Sequence, residues 1–153
     1  MQTKDGSTVL SSDRWFEPYS KNITSQSGED GILEKIFDLI PGGDRWCCEF
    51  GAWDGKKYSN THNLIANKNW SGVLIEADRA KCADLAKTYS GNDRAILINR
   101  FVSFSGENTL GGILRETAIP MDFDLLSIDI DGNDYHVWAS VQEYKPKAVI
   151  IEF

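Results

Sequence analysis

Two aspartates close an apolar run in Leu125-Leu126-Ser127-Ile128-Asp129-Ile130-Asp131-Gly132-Asn133-Asp134-Tyr135. A strand that ends in carboxylates places them where open α/β sheets bind ligands, in the crevice outside the carboxyl ends of the strands. There, Asp129 and Asp131 could take up a proton or hold a divalent metal. Two earlier segments share the design. Trp46-Cys47-Cys48-Glu49-Phe50-Gly51-Ala52-Trp53-Asp54-Gly55 and Gly72-Val73-Leu74-Ile75-Glu76-Ala77-Asp78 each run apolar for the length of a strand, end in an acid and then break. Three such strand ends can line one crevice.

Acids so placed need a scaffold, and the chain alternates to supply one. Residues 1–24 are polar and aperiodic and read as an irregular N-terminal arm; residues 25–153 read as the domain. Ser27-Gly28-Glu29-Asp30 has the form of a helix start with a capping box. Ile32, Leu33, Ile36, Phe37 and Ile40 then follow at helical spacing, and Pro41-Gly42-Gly43 stops the helix. Beyond it the pattern predicts strands at 45–51, 72–77, 94–102, 123–129 and 147–153. Helices are predicted near 58–68, 79–90, 106–117 and 134–143. Apolar runs alternating with helical patterns imply an α/β fold with a parallel sheet covered on both faces.

Composition narrows the partners. With 153 residues, 41% hydrophobic and 25% charged, the chain suits one soluble domain that needs no disulfide framework. A net charge of −7 argues against nucleic acid, whose phosphates demand clustered Lys and Arg. No apolar run has membrane-spanning length, and Met1-Gln2-Thr3-Lys4-Asp5 does not open a signal peptide, so no membrane partner and a cytoplasmic setting are expected. The adjacent Cys47 and Cys48 should point to opposite faces of one strand, reduced and buried, and not chelate a metal together. Val149-Ile150-Ile151-Glu152-Phe153 ends the chain inside an apolar strand. Such an edge invites cover, and the expectation is a fragment of a longer protein, with self-association through this edge strand as the other outcome.

Each motif has a bland reading. The glycines of Glu49-Phe50-Gly51-Ala52-Trp53-Asp54-Gly55 allow a tight turn and close ligand approach, but the acids within the loop disfavour pyrophosphate and suit a ligand carrying positive charge; a plain strand-to-helix turn explains the loop equally well. Glu76 lies where Rossmann-type folds place a carboxylate on ribose hydroxyls, unless it only favours the next helix start, a role open also to Asp78. His136, beside Tyr135 and Trp138, is a candidate base alongside Asp129 and Asp131 but reads more simply as a structural helix residue. Trp46, Trp70 and Trp138 read as core closures at element ends, and Trp53, inside the loop, is the exception worth testing. Tyr58, Asn60 and Thr61 follow the loop and could shape the site; capping explains Ser59 or Asn60 equally well. A calcium loop from Asp129 fails, because Asp134 replaces the glycine and Ser140 the glutamate that it requires. An aspartyl-phosphatase reading lacks sufficient downstream chain. A metal-dependent nucleotide-sugar transferase would use Asp129 and Asp131 but leaves the glycine loop and Glu76 without a role. A cofactor-binding module without turnover also stands as an alternative.

Taken together, Ser25-Gln26-Ser27-Gly28-Glu29-Asp30-Gly31, the glycine loop, Ser59-Asn60-Thr61, Trp70-Ser71-Gly72-Val73-Leu74-Ile75-Glu76-Ala77, Ser127 to Tyr135 and Ile150-Ile151-Glu152-Phe153 resemble the FkbM-type branch of S-adenosylmethionine-dependent methyltransferases. The resemblance implies a class I methyltransferase fold: a three-layer Rossmann-like sheet of order 3-2-1-4-5, here without the fold's last two strands. It implies that Glu49, Gly51, Ala52, Asp54 and Gly55 hold the methionine end of S-adenosyl-L-methionine, and that Glu76, with Ala77 beside it, binds the ribose. Phe101, Val102 and Ser103 would flank the adenine, with Asp129 and Asp131 facing the sulfonium and the acceptor. The implied reaction is O-methylation of a saccharide or small-molecule hydroxyl. A divalent metal on Asp129, Asp131 and Glu152 remains an alternative to a protein base.

Overall fold

The structure, a computed structural model, describes residues 15–40, 43–130 and 132–151. A 3-10 turn at Glu17–Tyr19 precedes α1 (Glu29–Leu39), β1 (Trp46–Phe50), α2 (His62–Asn67), β2 (Ser71–Glu76) and α3 (Arg79–Thr88). Then come β3 (Ala95–Asn99), α4 (Leu110–Leu114), β4 (Leu125–Ile128), α5 (Asp134–Ser140) and β5 (Ala148–Ile151). The five strands form one parallel sheet in the order β3-β2-β1-β4-β5, the order expected. β1 is central, with Glu49 in register with Leu74 on one side and Ser127 on the other.

Burial on both faces explains why the strands read as unbroken apolar runs. Leu33 of α1, Leu64 and Ile65 of α2 and Leu85 of α3 close one face over Cys47, Leu74 and Leu125. Leu110, Ile113 and Leu114 of α4 and Val137 of α5 close the other over Cys48, Phe50, Val73, Ile75 and Leu126. Cys47 and Cys48 therefore do serve opposite faces, and burial pushes both thiols up, keeping them protonated and unreactive. Below the sheet, buried Asp124 accepts from Arg45 N at 2.6 Å and Lys147 Nζ at 2.8 Å, tying the entries of β1, β4 and β5 together.

Three local expectations are corrected. The capping box at Ser27 does not form: Gly28 is the N-cap of α1 with no side-chain cap bond, and Ser27 N instead donates to Glu29 Oε2. The reciprocal pair is Ser25 with Asp30, in which Asp30 N donates to Ser25 Oγ and Ser25 N to Asp30 Oδ2. Second, the helix predicted at 58–68 shrinks to His62–Asn67, because Tyr58 is left-handed (φ 62°) and the next three residues bond to Glu49. Third, the helix predicted at 106–117 covers only Leu110–Leu114. Pro41, Gly42, Asp131, Glu152 and Phe153, on which the expected helix stop, second catalytic acid, metal ligand and end of the last predicted strand fall, lie outside the described residues, as does the arm up to residue 14.

Candidate functional site

At the carboxyl end of the sheet a cleft of about 570 Å³ opens between β1, β2 and β4. Its volume lies within the range of small-ligand sites. Glu49, Gly51 and Ala52 from the first strand end, Glu76 and Ala77 from the second, Phe101 and Val102 after β3, and Asp129 after β4 all line it. Asp54, Gly55 and Ser103 are not in its wall. Asp54 Oδ1 accepts from Lys56 N and Lys57 N at 2.9 and 2.8 Å, fixing the turn, and Ser103 Oγ donates to Ser105 O at 2.7 Å.

The two loop glycines are required by the protein's own packing. A β-carbon on Gly51 (φ 76°) would stand 1.8 Å from Asp129 O, so only glycine lets the β1 loop pass the end of β4. One on Gly55 (φ 72°) would meet Leu85 Cδ1 at 2.3 Å. Gly55 O accepts from Tyr89 OH at 3.0 Å and lies 2.8 Å from His62 Nδ1, which must carry the proton because a carbonyl can only accept. Burial lowers the pKa of His62, consistent with a neutral ring in this anchor.

Glu76 is buried at the cleft's edge. Its Oε2 accepts from Trp53 N at 2.8 Å and its Oε1 from Asp78 N at 2.7 Å, one amide on each oxygen. Each oxygen keeps acceptor capacity for a ligand hydroxyl. Asp78 takes the helix-start role, capping α3 through Ala80 N and Lys81 N, which leaves Glu76 to the cleft.

Glu49 is bound inward. Oε2 accepts from Ser59 Oγ at 2.7 Å and Thr61 Oγ1 at 2.8 Å, and Oε1 from Asn60 N at 3.0 Å, with Ser127 Oγ at 3.5 Å. The carboxylate thus organises the loop before α2 as well as the cleft wall. Ser59 Oγ in turn accepts from Thr61 N and His62 N at the start of α2.

Burial raises the pKa of Glu49, outweighing the hydrogen bonds that lower it. A carboxyl raised on folding contributes stability fully present below its unfolded pKa and lost as pH climbs through the folded one. Above its ordinary value near 4.5, ionising Glu49 therefore costs the folded state. The stability advantage of the protein over Glu49→Gln should shrink as pH rises above about 4.5, read from paired urea transitions. A constant gap would show that Glu49 is not the titrating group.

Sequence reasoning did not single out several wall residues: Gln26, Lys57, Lys81, Arg100, Ile130 and Asn133. Lys81 was the most findable, since the first turn of a helix following a strand end must stand at that rim. Gln26 is presented by the turn that Asp30 holds. His136 is exposed beside Phe104 and Tyr135, not packed inside, and does not line the cleft. Trp70 is buried as expected, while Trp138 is 43% exposed. Of the proposed metal set only Asp129 is described, and no group of three candidate ligands occurs among the described residues. No helix among them is long and apolar enough to cross a membrane.

No protein-family model matches the chain, and no curated protein matches it. Among solved structures, the CurJ carbon methyltransferase matches with a TM-score of 0.51 at 9% identity, over 76% of this chain and 31% of that one. The glycopeptide N-methyltransferase MtfA, solved with (S)-adenosyl-L-methionine, gives a TM-score of 0.46 at 16% identity, over 75% of this chain and 46% of that one. The chain spans less than half the length of either. At 9% identity the likeness to CurJ is one of fold: a Rossmann-like parallel α/β sheet in the order β3-β2-β1-β4-β5.

Proposed function

We propose that this chain is a methyltransferase domain of the FkbM-like kind that uses S-adenosyl-L-methionine to methylate a hydroxyl of a saccharide or small molecule in a cytoplasmic setting. The observation that carries the reading is Glu76: a buried carboxylate at the end of β2, braced by two backbone amides, opening on a cleft bounded by the Gly51 loop and Asp129. That carboxylate can accept from the hydroxyls of a ribose diol, and Ala77, Phe101 and Val102 supply the apolar wall that an adenine needs. When bound, the cofactor supplies an electrophilic methyl group. The chain's task is then chiefly to hold two reactants in line, for which effective molarities of about 10⁵ M or more are attainable. Asp129 is the candidate to take the hydroxyl proton, with Asp131, two residues on in the sequence, as the second candidate.

Titration calorimetry with S-adenosylhomocysteine, NAD and a metal-bound nucleotide sugar tests the cofactor. Heat with the first and none with the others is expected; the opposite pattern would replace this reading with the sugar-transferase one. Single-turnover transfer from labelled cofactor to a sugar panel then separates an enzyme from a binding module, since a module binds without transfer.

A further inference from the structure

Lys57 and Lys81 bring two ammonium groups to the wall of the cleft in a chain whose net charge is −7. Lys57 Nζ stands 5.0 Å from the Trp53 ring centroid and 4.9 Å from that of Tyr58, and Lys81 Nζ stands 4.4 Å from the Trp53 centroid. Two like charges gathered on one indole repel each other, and the ring offsets little of that at a solvated rim. Arg100, the third cation of the wall, is held by both oxygens of Glu116 at 2.8 and 3.0 Å. Among the described residues Lys57 and Lys81 make no such ion pair.

The backbone beneath them is unusual in the same place. Trp53 (φ 48°) and Tyr58 (φ 62°) both adopt left-handed conformations that bulky side chains seldom take. The segment between is fixed by its surroundings: Trp53 N on Glu76, Lys56 N and Lys57 N on Asp54, and Thr88 Oγ1 donating to Asp54 O at 2.6 Å. Strain held in place by neighbours is characteristic of functional sites. Here it delivers two aromatic faces and an ammonium to one rim, and Tyr58 is half exposed.

We propose that this rim is the acceptor subsite and that it takes a cyclic anionic acceptor, a sugar acid or sugar phosphate, whose carboxylate or phosphate draws Lys57 and Lys81 off the rings and so frees a face of Trp53 or Tyr58 for the sugar ring. The inference rests on the methyltransferase reading of the cleft for the word acceptor. The chemistry matches on each count. An aromatic face is negative and meets the weakly positive C–H face of a pyranose. Ammonium groups act as point charges toward phosphate or carboxylate oxygens. Locally gathered positive charge also counters the repulsion that an acidic protein exerts on an anion.

The test titrates the full chain with glucose, glucuronate, glucose 6-phosphate and AMP, by calorimetry and by the ¹⁵N resonance of the Trp53 indole, assigned with Trp53→Phe. The two acidic sugars should bind at least about tenfold more tightly than glucose, move the Trp53 signal and weaken with added salt. Lys57→Gln/Lys81→Gln, whose remaining spectrum reports that it is folded, should lose the preference for acid. Equal binding of glucose and glucose 6-phosphate, salt-independent binding, or an undiminished preference in the double variant overturns the proposal. So does tighter binding of AMP than of either acidic sugar, which would assign the lysines to a nucleotide. S-adenosylhomocysteine titrated into the wild-type chain separates the two readings: its failure to bind strikes the methyltransferase proposal, whereas failure of the acidic sugars strikes this one.

Discussion

Glu76→Ala is expected to weaken S-adenosylhomocysteine binding by about 1–3 kcal/mol, roughly 5- to 150-fold at 25 °C, without unfolding the protein. Two losses combine. The ribose hydroxyls lose a charge-assisted acceptor, and the amides of Trp53 and Asp78 lose the oxygens that hold them at 2.8 and 2.7 Å. Glu76→Gln separates them. Its carbonyl oxygen can keep one amide, but its NH₂ faces the other donor, so an intermediate loss is expected. Hydrogen exchange at the Trp53 amide supplies a second readout, and it should quicken in Glu76→Ala even in the absence of ligand. Unchanged affinity in both variants would reduce Glu76 to a brace for the loop and leave the cleft without its main reason for binding a nucleoside.

That Glu76 could be singled out before the fold was known follows from locality. A parallel strand buried on both faces must be apolar, so the acid that ends it stands out, and Asp78, two residues on, is close enough to the next helix to compete for the capping role. The geometry divides them as the spacing suggests, with Asp78 on Ala80 N and Lys81 N and Glu76 on the cleft. The strands were legible for the same reason, and so was the split of Cys47 and Cys48 between the two faces.

Where bonds are non-local, legibility fails. Glu49 reads as a ligand acid at a strand end, yet its oxygens are engaged by Ser59, Asn60 and Thr61, which lie ten to twelve residues later and are drawn out of helix α2 in the process. Spacing could not show this, since no periodic pattern couples a strand to the loop that folds back over it. Lys57 follows β1 and Lys81 lies in α3, and they share a site only through the Trp53 ring that both approach. Gly51 shows a third kind of failure: the residue type was correctly read as a demand for close approach, but the approaching group is Asp129 O of the neighbouring strand end.

Asp30→Ala should lower stability by about 3 kcal/mol, measured as a shift of the urea midpoint at unchanged slope, or about 6–12 °C in Tm. Buried Asp30 gathers four donors on one oxygen: Oδ2 accepts from Ile23 N at 2.7 Å and from Thr24 N, Ser25 N and Ser25 Oγ at 2.8 Å each. Alanine strands all four, and only those near the surface recover water. Oδ1, by contrast, is buried and has no hydrogen-bond partner among the described residues. An amide nitrogen can therefore replace it without breaking a bond, and Asp30→Asn should cost well under half as much, the difference being the charge assistance lost on Oδ2. Function enters through Gln26. The Ile23–Ser25 turn that Asp30 clamps carries this side chain to the cleft, and Thr24 Oγ1 donates to Ser59 O at 3.1 Å, joining the turn to the loop that Glu49 organises. Affinity for S-adenosylhomocysteine should accordingly fall in Asp30→Ala at temperatures where that variant is still folded, and hold in Asp30→Asn. Equal destabilisation by the two substitutions would mean that charge, not the geometry of the four-donor turn, holds Gln26 against the cleft.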